Sequence, residues 1–396
     1  MNGRLAALVA VASALALVVG CGGDDDSGSG ASVKAPKGAK PMEKLGKGEG
    51  QVNLIAWAGY VEDGSTDPKV DWVTPFEKAS GCQTNVKVGN TSDEMVTLMR
   101  TGNYDGVSAS GDATLRLIAG GDVAPVNTSL VPNYAQIWSG LKDKPWNSVK
   151  RQMYGIPHGY GANLLMSSPK ASGVGTSWDA VFDPSKMTPN KGHVTAYDSP
   201  IYIADAAVYL KAHQPDLKIT NPFELDSKQF NAVVNLLKTQ RKYIGEYWAD
   251  YTKEQAAFAN GNSTVGTTWQ VIANLLQADK VKVKTVLPSE GSTGWSDTWM
   301  ISSSAKHPNC MYMWMNWIIE PKVNAEVAEF FGEAPAQEKA CEQTANPNFC
   351  SEYHAEEPAF WKRVYYWQTP LADCGNGESD CKDYNDWVQA WTSIKG

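Results

Sequence analysis

Hydrophobic and polar positions follow two different periods along the chain from residue 52 onward. Short apolar runs bounded by turn residues predict strands at 52–57, 84–88, 104–108, 192–197, 263–268 and 281–287. Apolar positions three and four residues apart predict helices at 71–80, 93–100, 204–212 and 227–242. Strands that alternate with helices at this spacing are typical of parallel βαβ units. The chain is therefore predicted to have an α/β fold.

The last quarter of the chain has a different pattern. Helical spacing runs over residues 307–331, and Pro321 is predicted to divide this stretch into two helices because proline cannot continue one. Residues 356–396 are rich in aromatic side chains and are predicted to be helical in two pieces.

The N-terminus has the features of an exported lipoprotein. Arg4 is the only charged side chain before a run of small and apolar residues at 5–20, which is followed by Cys21. This pattern is typical of a secretory signal peptide, and the run is shorter than the roughly 20 apolar residues that span a bilayer. We expect residues 1–20 to be removed, Cys21 to carry a lipid and the protein to lie outside the cytoplasmic membrane; an uncleaved anchor helix is the alternative. Residues 21–49 have little to bury and are predicted to be a flexible linker.

Composition narrows the possible partners. The formal net charge of -8 argues against nucleic acid, for which a basic face is expected. The chain has 15 Trp and 16 Tyr residues, of which most should be core. A surplus could line a cleft that holds a cationic or amphipathic molecule. The chain is also longer than one hydrophobic core usually serves, which favours two lobes.

The cysteines predict disulfides rather than a metal site. Besides Cys21 there are six, an even number that allows 15 pairings in an exported protein. Cys374 with Cys381 and Cys341 with Cys350 would close short loops, which leaves Cys82 with Cys310, although the connectivity stays open. No CxxC pair, nucleophile elbow, H-E-x-x-H or P-loop is present in the sequence. We therefore predict no metal, no cofactor and no enzymatic activity.

Polar and aromatic fragments follow five of the predicted strands. In open α/β sheets the loops at the carboxyl ends of strands form the ligand site. The fragments are Trp57-Ala58-Gly59-Tyr60-Val61, Ser108-Ala109-Ser110-Gly111-Asp112, Tyr197-Asp198-Ser199-Pro200, Thr268-Trp269-Gln270 and Gly294-Trp295-Ser296-Asp297.

Three further segments are Tyr154-Gly155-Ile156-Pro157, Ser177-Trp178-Asp179 and Pro288-Ser289-Glu290-Gly291. With the five fragments, their order and spacing over 52–368 resemble the spermidine/putrescine-binding proteins of polyamine ABC transporters. The resemblance implies a two-lobed periplasmic-binding-protein-like fold (type II), with two crossover strands and an interlobe cleft. The expected division is 50–158 with 297–340 for the first lobe and 159–296 with 341–396 for the second.

The resemblance also implies which residues contact a ligand. Tyr60 and Trp57 would pack on its methylenes and amine, Ser110 would contact it, and Trp269 would form an aromatic wall. Trp295 would stack on it, while Asp297 and Asp198 would each hold one ammonium group. Gln368 would supply a polar group at the end of the cleft.

Three positions depart from the family pattern. Asp112 and Glu333 stand where the family has tyrosines, and Ile201 stands where it has an acid. Acids are therefore lost at one place and gained at two, so Asp112 and Glu333 are candidate replacements. This favours a cation with different length or amine spacing.

The predicted function is a monomeric, non-enzymatic binding protein that closes on a small cationic ligand and passes it to an ABC permease. A quaternary amine or a simple diamine stays open as the ligand. An exported envelope hydrolase is the alternative of a different class. Tyr365-Tyr366 is the only adjacent tyrosine pair and gives little support for ferric-ion binding.

Overall fold

The molecule consists of two α/β lobes, each built around its own mixed sheet, in the computed structural model, which describes residues 40–374 and 380–396. This confirms the predicted two-lobed α/β fold. The signal peptide at 1–20, the lipidation site Cys21 and linker residues 21–39 lie outside the described residues.

The strands are β1 (Gln51–Ala56), β2 (Gln83–Val88), β3 (Gly106–Ala109), β4 (Ser148–Val149), β5 (Gln152–Met153), β6 (Ile156–Ala162), β7 (Leu164–Ser167), β8 (Val194–Tyr197), β9 (Ile244–Trp248), β10 (Val265–Thr268), β11 (Lys284–Val286), β12 (Ser292–Ile301), β13 (Ala334–Pro335) and β14 (Val364–Tyr366). The helices are α1 (Val73–Ser80), α2 (Ser92–Met99), α3 (Gly111–Gly120), α4 (Asp179–Phe182), α5 (Pro184–Met187), α6 (Ile203–His213), α7 (Ser227–Gln240), α8 (Tyr251–Ala259), α9 (Gln270–Ala278), α10 (Pro308–Trp317), α11 (Pro321–Phe331), α12 (Phe349–Glu352), α13 (Pro358–Trp361) and α14 (Tyr384–Lys395). Within the described ranges, no helix combines the length and the apolar character needed to cross a bilayer.

Both sheets follow one plan. The first has the order β2-β1-β3-β12-β6-β13, with β14 beside β12, and the second has the order β9-β8-β10-β7-β11. In the first sheet β1 is parallel to β2 and β3, while β12 is antiparallel to β3 and β6. In the second, β8 is parallel to β9 and β10, while β7 is antiparallel to β10 and β11. Each lobe therefore has three parallel strands and one strand of opposite direction beside them.

Two paired segments connect the lobes. One runs from β6 into β7 through Asn163, and the other enters β12, where the Asn163 N–H donates to the Thr293 carbonyl at 2.9 Å. All ten residues of β12 are buried. Trp295 and Asp297 were predicted to follow a strand, whereas the structure has both inside β12. That strand has no solvent-exposed face, because it is covered on both sides.

The tail is shared between the lobes. Phe349, Tyr353 and Tyr366 pack in the core of the first lobe, while Trp387 and Trp391 of α14 pack in the core of the second. The predicted division gave all of 341–396 to the second lobe, and that division stays a prediction.

Two residues at the C-terminal end of the predicted linker contact the first lobe. Met42 packs against the core of the first lobe, and its carbonyl accepts a hydrogen bond from Asn127 at 3.0 Å. The Glu49 carboxylate accepts from the backbone N–H groups of Asn309 at 3.0 Å and Cys310 at 2.9 Å. Because these are unpaired donors at the start of α10, Glu49 stabilises that helix end. Residues within 42–49 therefore contact the first lobe, while the predicted linker bounds stay a prediction.

Three disulfides join the described cysteines, two of them between the short-loop pairs of the sequence analysis and one between the remaining pair. They are Cys82–Cys310, Cys341–Cys350 and Cys374–Cys381. The first spans 228 residues and ties the start of β2 to α10. A cross-link over so long a loop restricts the unfolded chain most, and such a bond typically stabilises by about 2–4 kcal/mol.

Candidate ligand-binding site

Tyr60 and Ser110 follow two parallel strands of the first lobe and point at a third strand. Tyr60 lies in a turn after β1, where Gly59 has φ 96° and a Cβ would lie 3.3 Å from Phe331. Ser110 precedes α3, but its hydroxyl makes no cap and donates instead to Asp297 Oδ1 at 2.5 Å. The strand-to-loop transitions thus bring both side chains to Asp297 on β12.

A second carboxyl group joins the cluster through Tyr60. The Tyr60 Oη lies 2.7 Å from Asp297 Oδ2 and 2.7 Å from Glu333 Oε2. A phenol has one hydrogen, so it donates in only one of these contacts at a time. The other contact is a hydrogen bond only when a carboxyl group carries a proton. The cluster therefore holds one exchangeable proton.

Burial explains why the two carboxyl groups retain that proton. Asp297 is 2% exposed and Glu333 is fully buried. Burial raises the pKa of Asp297 to about 6, although hydrogen bonds from Ser110 and Tyr60 act in the other direction. Burial, and then the charge of Asp297, raise the pKa of Glu333 well above its ordinary value. Across residues 40–374 and 380–396, no lysine or arginine bonds to either carboxyl group. In that part of the chain, no cation compensates either group when it is ionised.

Two glycines of β6 make room for this cluster. A Cβ on Gly159 would fall 1.9 Å from Glu333 Cδ, and one on Gly161 would fall 2.5 Å from Trp295 Cζ2. Neither glycine was predicted as part of the site. Alternating glycines in a strand indicate close approach on one face, and this signal in the segment His158-Gly159-Tyr160-Gly161 was available.

His158 lies beside Glu333 but does not neutralise it. Its Nδ1 is 3.7 Å from Glu333 Oε1, which is too long for a hydrogen bond, and its Nε2 is 2.8 Å from Ser108 Oγ. Burial lowers the pKa of His158 to about 3, so the ring is neutral at physiological pH. The imidazole is therefore a polar neighbour and not a counter-ion.

Aromatic rings surround the carboxyl groups. The Trp295 ring lies edge-on to Trp269 at 6.4 Å and to Phe331 at 6.1 Å. Trp269 is held by a hydrogen bond from its Nε1 to Asn163 Oδ1 at 3.0 Å. One groove is lined by Trp269, Trp295 and Glu333 together. Indole faces beside an acid are the groups that a hydrophobic cation requires.

Tyr197 and Trp367, which were not predicted, extend the aromatic wall. Their rings stack 5.8 Å apart at 13°. Trp367 Nε1 donates to Thr293 Oγ1 at 3.1 Å, and that hydroxyl donates to Asp205 Oδ1 at 2.9 Å. Burial raises the pKa of Asp205 to about 7. Because Thr293 belongs to a connecting strand, this wall is anchored between the lobes.

Asp112 is a further buried acid near the cluster. It accepts a hydrogen bond from Ser92 Oγ at 3.0 Å, and Thr369 Oγ1 donates to its backbone carbonyl at 2.7 Å. Burial raises the pKa of Asp112 to about 6, and its charge in turn raises that of Asp297. Gln368 is half-buried on the tail segment that reaches this loop.

Asp198 and Trp57 are among the predicted residues that make no hydrogen bond to the cluster. Asp198 lies 2.6 and 2.7 Å from Lys395 Nζ and accepts from Trp391 Nε1 at 3.0 Å. Trp57 is half-buried between two core clusters of the first lobe, and its indole N–H lacks a partner. Ile201, at the position of the expected acid, is fully buried in the core of the second lobe.

Two α/β lobes joined by paired crossing segments, with acids and aromatic rings gathered where they meet, define a two-lobed ligand-binding protein. The profile of the family described as bacterial extracellular solute-binding protein matches residues 71–352, and the chain belongs to this family. It is 22% identical to the putrescine/cadaverine-binding protein of Pseudomonas aeruginosa, over 70% of this chain and 77% of that protein.

Other relatives agree with this assignment. The chain is 21% identical to the spermidine/putrescine-binding periplasmic protein of Escherichia coli, over 84% of this chain and 90% of that one. Its fold is similar to the solved structure of the spermidine/putrescine ABC transporter substrate-binding protein PotD of Streptococcus pneumoniae, with a TM-score of 0.67 and 16% identity, covering 87% of this chain and 97% of that chain. The resemblance stated from the sequence is therefore confirmed.

Proposed function

We propose that this chain is a non-enzymatic binding protein of an ABC importer that takes up a small cationic amine of the putrescine and spermidine class. The observation that carries the proposal is the pair of buried acids, Asp297 and Glu333, joined through Tyr60 without a lysine or arginine partner in the described residues. Buried carboxylates are costly unless a cation compensates them. An ammonium group of the ligand is that cation.

The contacts of the ligand follow from this placement. One ammonium group donates charge-assisted hydrogen bonds to Asp297 and Glu333, and the methylene chain packs on Trp295 and Trp269. Its arrival favours the ionised carboxylates, so the cluster releases its proton. Tyr60 and Ser110 then hold Asp297 in position.

The second ammonium group has two candidate partners. Asp112 is buried and accepts a hydrogen bond from a serine hydroxyl. It could therefore bind the ammonium group without first releasing a lysine. Asp198 would first have to exchange Lys395 for the ligand. Trp57 and Gln368 complete the proposed contacts. The names of the relatives support a polyamine, whereas the isoleucine at 201 supports an amine of different spacing.

We also infer where the protein works. Membership of an extracellular solute-binding family supports export, and the sequence around Cys21 supports a lipid anchor on the outer face of the membrane. In this proposal the protein is a monomer that delivers its ligand to the permease at the outer face of the membrane. Metabolic labelling with a fatty acid tests the anchor, because Cys21→Ser should abolish incorporation.

Calorimetry of the full chain tests the ligand class. Putrescine, cadaverine and spermidine are titrated alongside choline and a neutral amino acid, and one of the amines should give saturable heat with a stoichiometry near one. Mass spectrometry of the mixture should return the amine unchanged. Absence of binding by every amine would remove the proposal, and chemical turnover would favour an exported hydrolase instead.

A further inference from the structure

A cluster of three metal-ligating side chains lies on the second lobe, separate from the carboxyl cluster described above. His213 Nε2 is 3.0 Å from Glu290 Oε1 and 3.9 Å from Asp179 Oδ1, and the three atoms all lie within 4.8 Å of one another. Asp179 begins α4, His213 ends α6 and Glu290 lies in the loop that leads into β12. The fold therefore converges three distant segments on one point.

Neighbouring groups hold all three side chains in place. The Tyr209 hydroxyl donates to Asp179 Oδ1 at 3.0 Å, and the Tyr209 ring stacks on His213 at 4.2 Å. Ser177 Oγ donates to Glu290 Oε1 at 2.5 Å, and Ser289 Oγ donates to Glu290 Oε2 at 2.8 Å. Hydrogen bonds of this kind orient the ligands in metal sites.

The charges in this cluster do not balance. One imidazole nitrogen, which carries at most one hydrogen, faces two carboxylates, and it is within hydrogen-bond distance of Glu290 alone. Among the residues that the structure describes, no lysine or arginine bonds to Asp179 or Glu290. A cation at the centre of the three atoms would balance the charge.

We propose that Asp179, His213 and Glu290 bind a divalent transition-metal ion of the zinc type. Zinc binds histidine nitrogen and carboxylate oxygen at about 2.0–2.2 Å, so two ligands of one ion lie up to about 4.2 Å apart. Tetrahedral coordination places two such ligands about 3.4 Å apart, and the two separations from His213, 3.0 and 3.9 Å, lie within about 0.5 Å of this distance. The third pair, within 4.8 Å, needs a side-chain adjustment of at most about 1.4 Å. Magnesium and calcium prefer oxygen ligands throughout, which makes the histidine selective against them.

The ion would tie the start of α4 and the end of α6 to the loop that precedes β12. His213 is partly exposed, with 37% of its side chain accessible, which leaves room for water as a fourth ligand. The three residues are spread over more than 100 positions of the chain, so no local spacing motif indicated the site.

Calorimetry with zinc chloride on the chelator-treated full chain tests the proposal. One zinc ion should bind, and His213→Ala and Asp179→Asn should each weaken binding at least tenfold. The matched control is His354→Ala, because His354 forms a pair with Glu357 at 2.9 Å without a third metal-ligating side chain among the described residues. This variant should bind zinc as the parent does.

A second measurement separates lost ligation from lost folding. Cobalt should give visible absorption bands of a low-coordinate site in the parent chain, and these should disappear in His213→Ala while its metal-free melting temperature stays within a few degrees. Zinc binding that is absent in the parent, or equal in the parent and His213→Ala, would overturn the proposal. Amine binding is measured on His213→Ala and Asp179→Asn and should not change.

Discussion

Two aspartates that were both predicted to bind an ammonium group of the ligand have opposite electrostatic surroundings. Asp198 directly follows β8 of the second lobe, and the ammonium group of Lys395 contacts both of its oxygens. Asp297 lies in β12, where its oxygens meet the hydroxyl groups of Tyr60 and Ser110 and no cation in the described part of the chain. The first acid has its counter-ion built into the protein, and the second does not.

This difference indicates which carboxyl groups contribute most to the binding free energy of a cationic ligand. At Asp198 a ligand ammonium would replace an existing ion pair, so the exchange gains little. At Asp297 and Glu333 it would compensate buried charge that nothing else compensates. We therefore expect affinity to be concentrated on the first-lobe side of the site, although the family pattern alone gives the two acids equal weight.

The largest effect is expected for Asp297→Asn. Hydrogen bonds to charged groups contribute about 1.5–3 kcal/mol, so amine binding should weaken roughly ten- to hundredfold in calorimetry. Asparagine can still accept from Ser110, and the metal-free, ligand-free protein should keep its melting temperature within a few degrees.

Glu254→Gln is the matched control for this variant. Glu254 is also fully buried, burial raises its pKa, and it bonds to Thr195 in the second lobe rather than to the cluster. Its amine affinity should equal that of the parent. Equal affinity of Asp297→Asn and the parent would show that Asp297 does not contact the ligand.

Acidification should have the next largest effect. Burial raises the pKa of Asp297 to about 6, so roughly a tenth of this group is ionised at pH 5. Affinity should therefore be at least about tenfold weaker at pH 5 than at pH 7.5, and release of the proton of Glu333 adds to this loss. The stability of the ligand-free protein should change in the other direction. A carboxyl group whose pKa is raised by folding binds more protons in the native state, so its contribution to stability falls as pH rises from about 4 to about 6.

Two measurements over this pH range check the predicted directions. Calorimetry follows the amine affinity, and thermal unfolding follows the stability of the ligand-free protein. The ligand-free melting temperature contains contributions from Asp112 and Asp205, whose pKa values burial raises to about 6 and about 7. The same thermal scan on Asp297→Asn therefore isolates the share of Asp297. An affinity that is flat between pH 5 and 7.5 would contradict an ionised Asp297 as the ligand partner.

Much of the fold could be predicted because its signals are local. The apolar spacing that predicted a helix at 227–242 reflects a helix that begins with a capping box between Asp226 and Gln229. The loops after β1 and β3 were found for the same reason: a short apolar run ends and polar residues begin. This rule located the two loops, the family resemblance singled out Tyr60 and Ser110 within them, and the structure joins both to Asp297.

The parts that escaped prediction depend on distant partners. Lys395 meets Asp198 across 197 positions, and no periodicity records that contact. β12 is buried on all sides, so it lacks the alternation that identifies a half-exposed strand. Trp367 joins the aromatic wall because the tail folds back onto Thr293, which sequence position alone does not indicate.

Glu333→Gln should have a smaller effect on affinity than Asp297→Asn, about three- to fivefold, since the amide keeps a polar contact with Tyr60 but carries no charge. The measurement that distinguishes this variant is the number of protons released on amine binding. Calorimetry in two buffers of different ionisation enthalpy should show close to one proton released on amine binding by the parent at pH 7, and much less by Glu333→Gln. Equal proton release by both proteins would assign the proton to another group.

The smallest effect is expected for Asp198→Asn. Lys395 already occupies this carboxylate, so amine affinity should change less than threefold, and loss of a partly exposed ion pair should cost about 0–1 kcal/mol of stability. Lys395→Ala is the companion variant, because it frees Asp198 without removing it. If the ligand displaces Lys395, Asp198→Asn should weaken binding at least tenfold and Lys395→Ala should strengthen it. That outcome would restore the equal weight of the two acids, since the second lobe would then supply its own cation-binding carboxylate once the tail helix releases it.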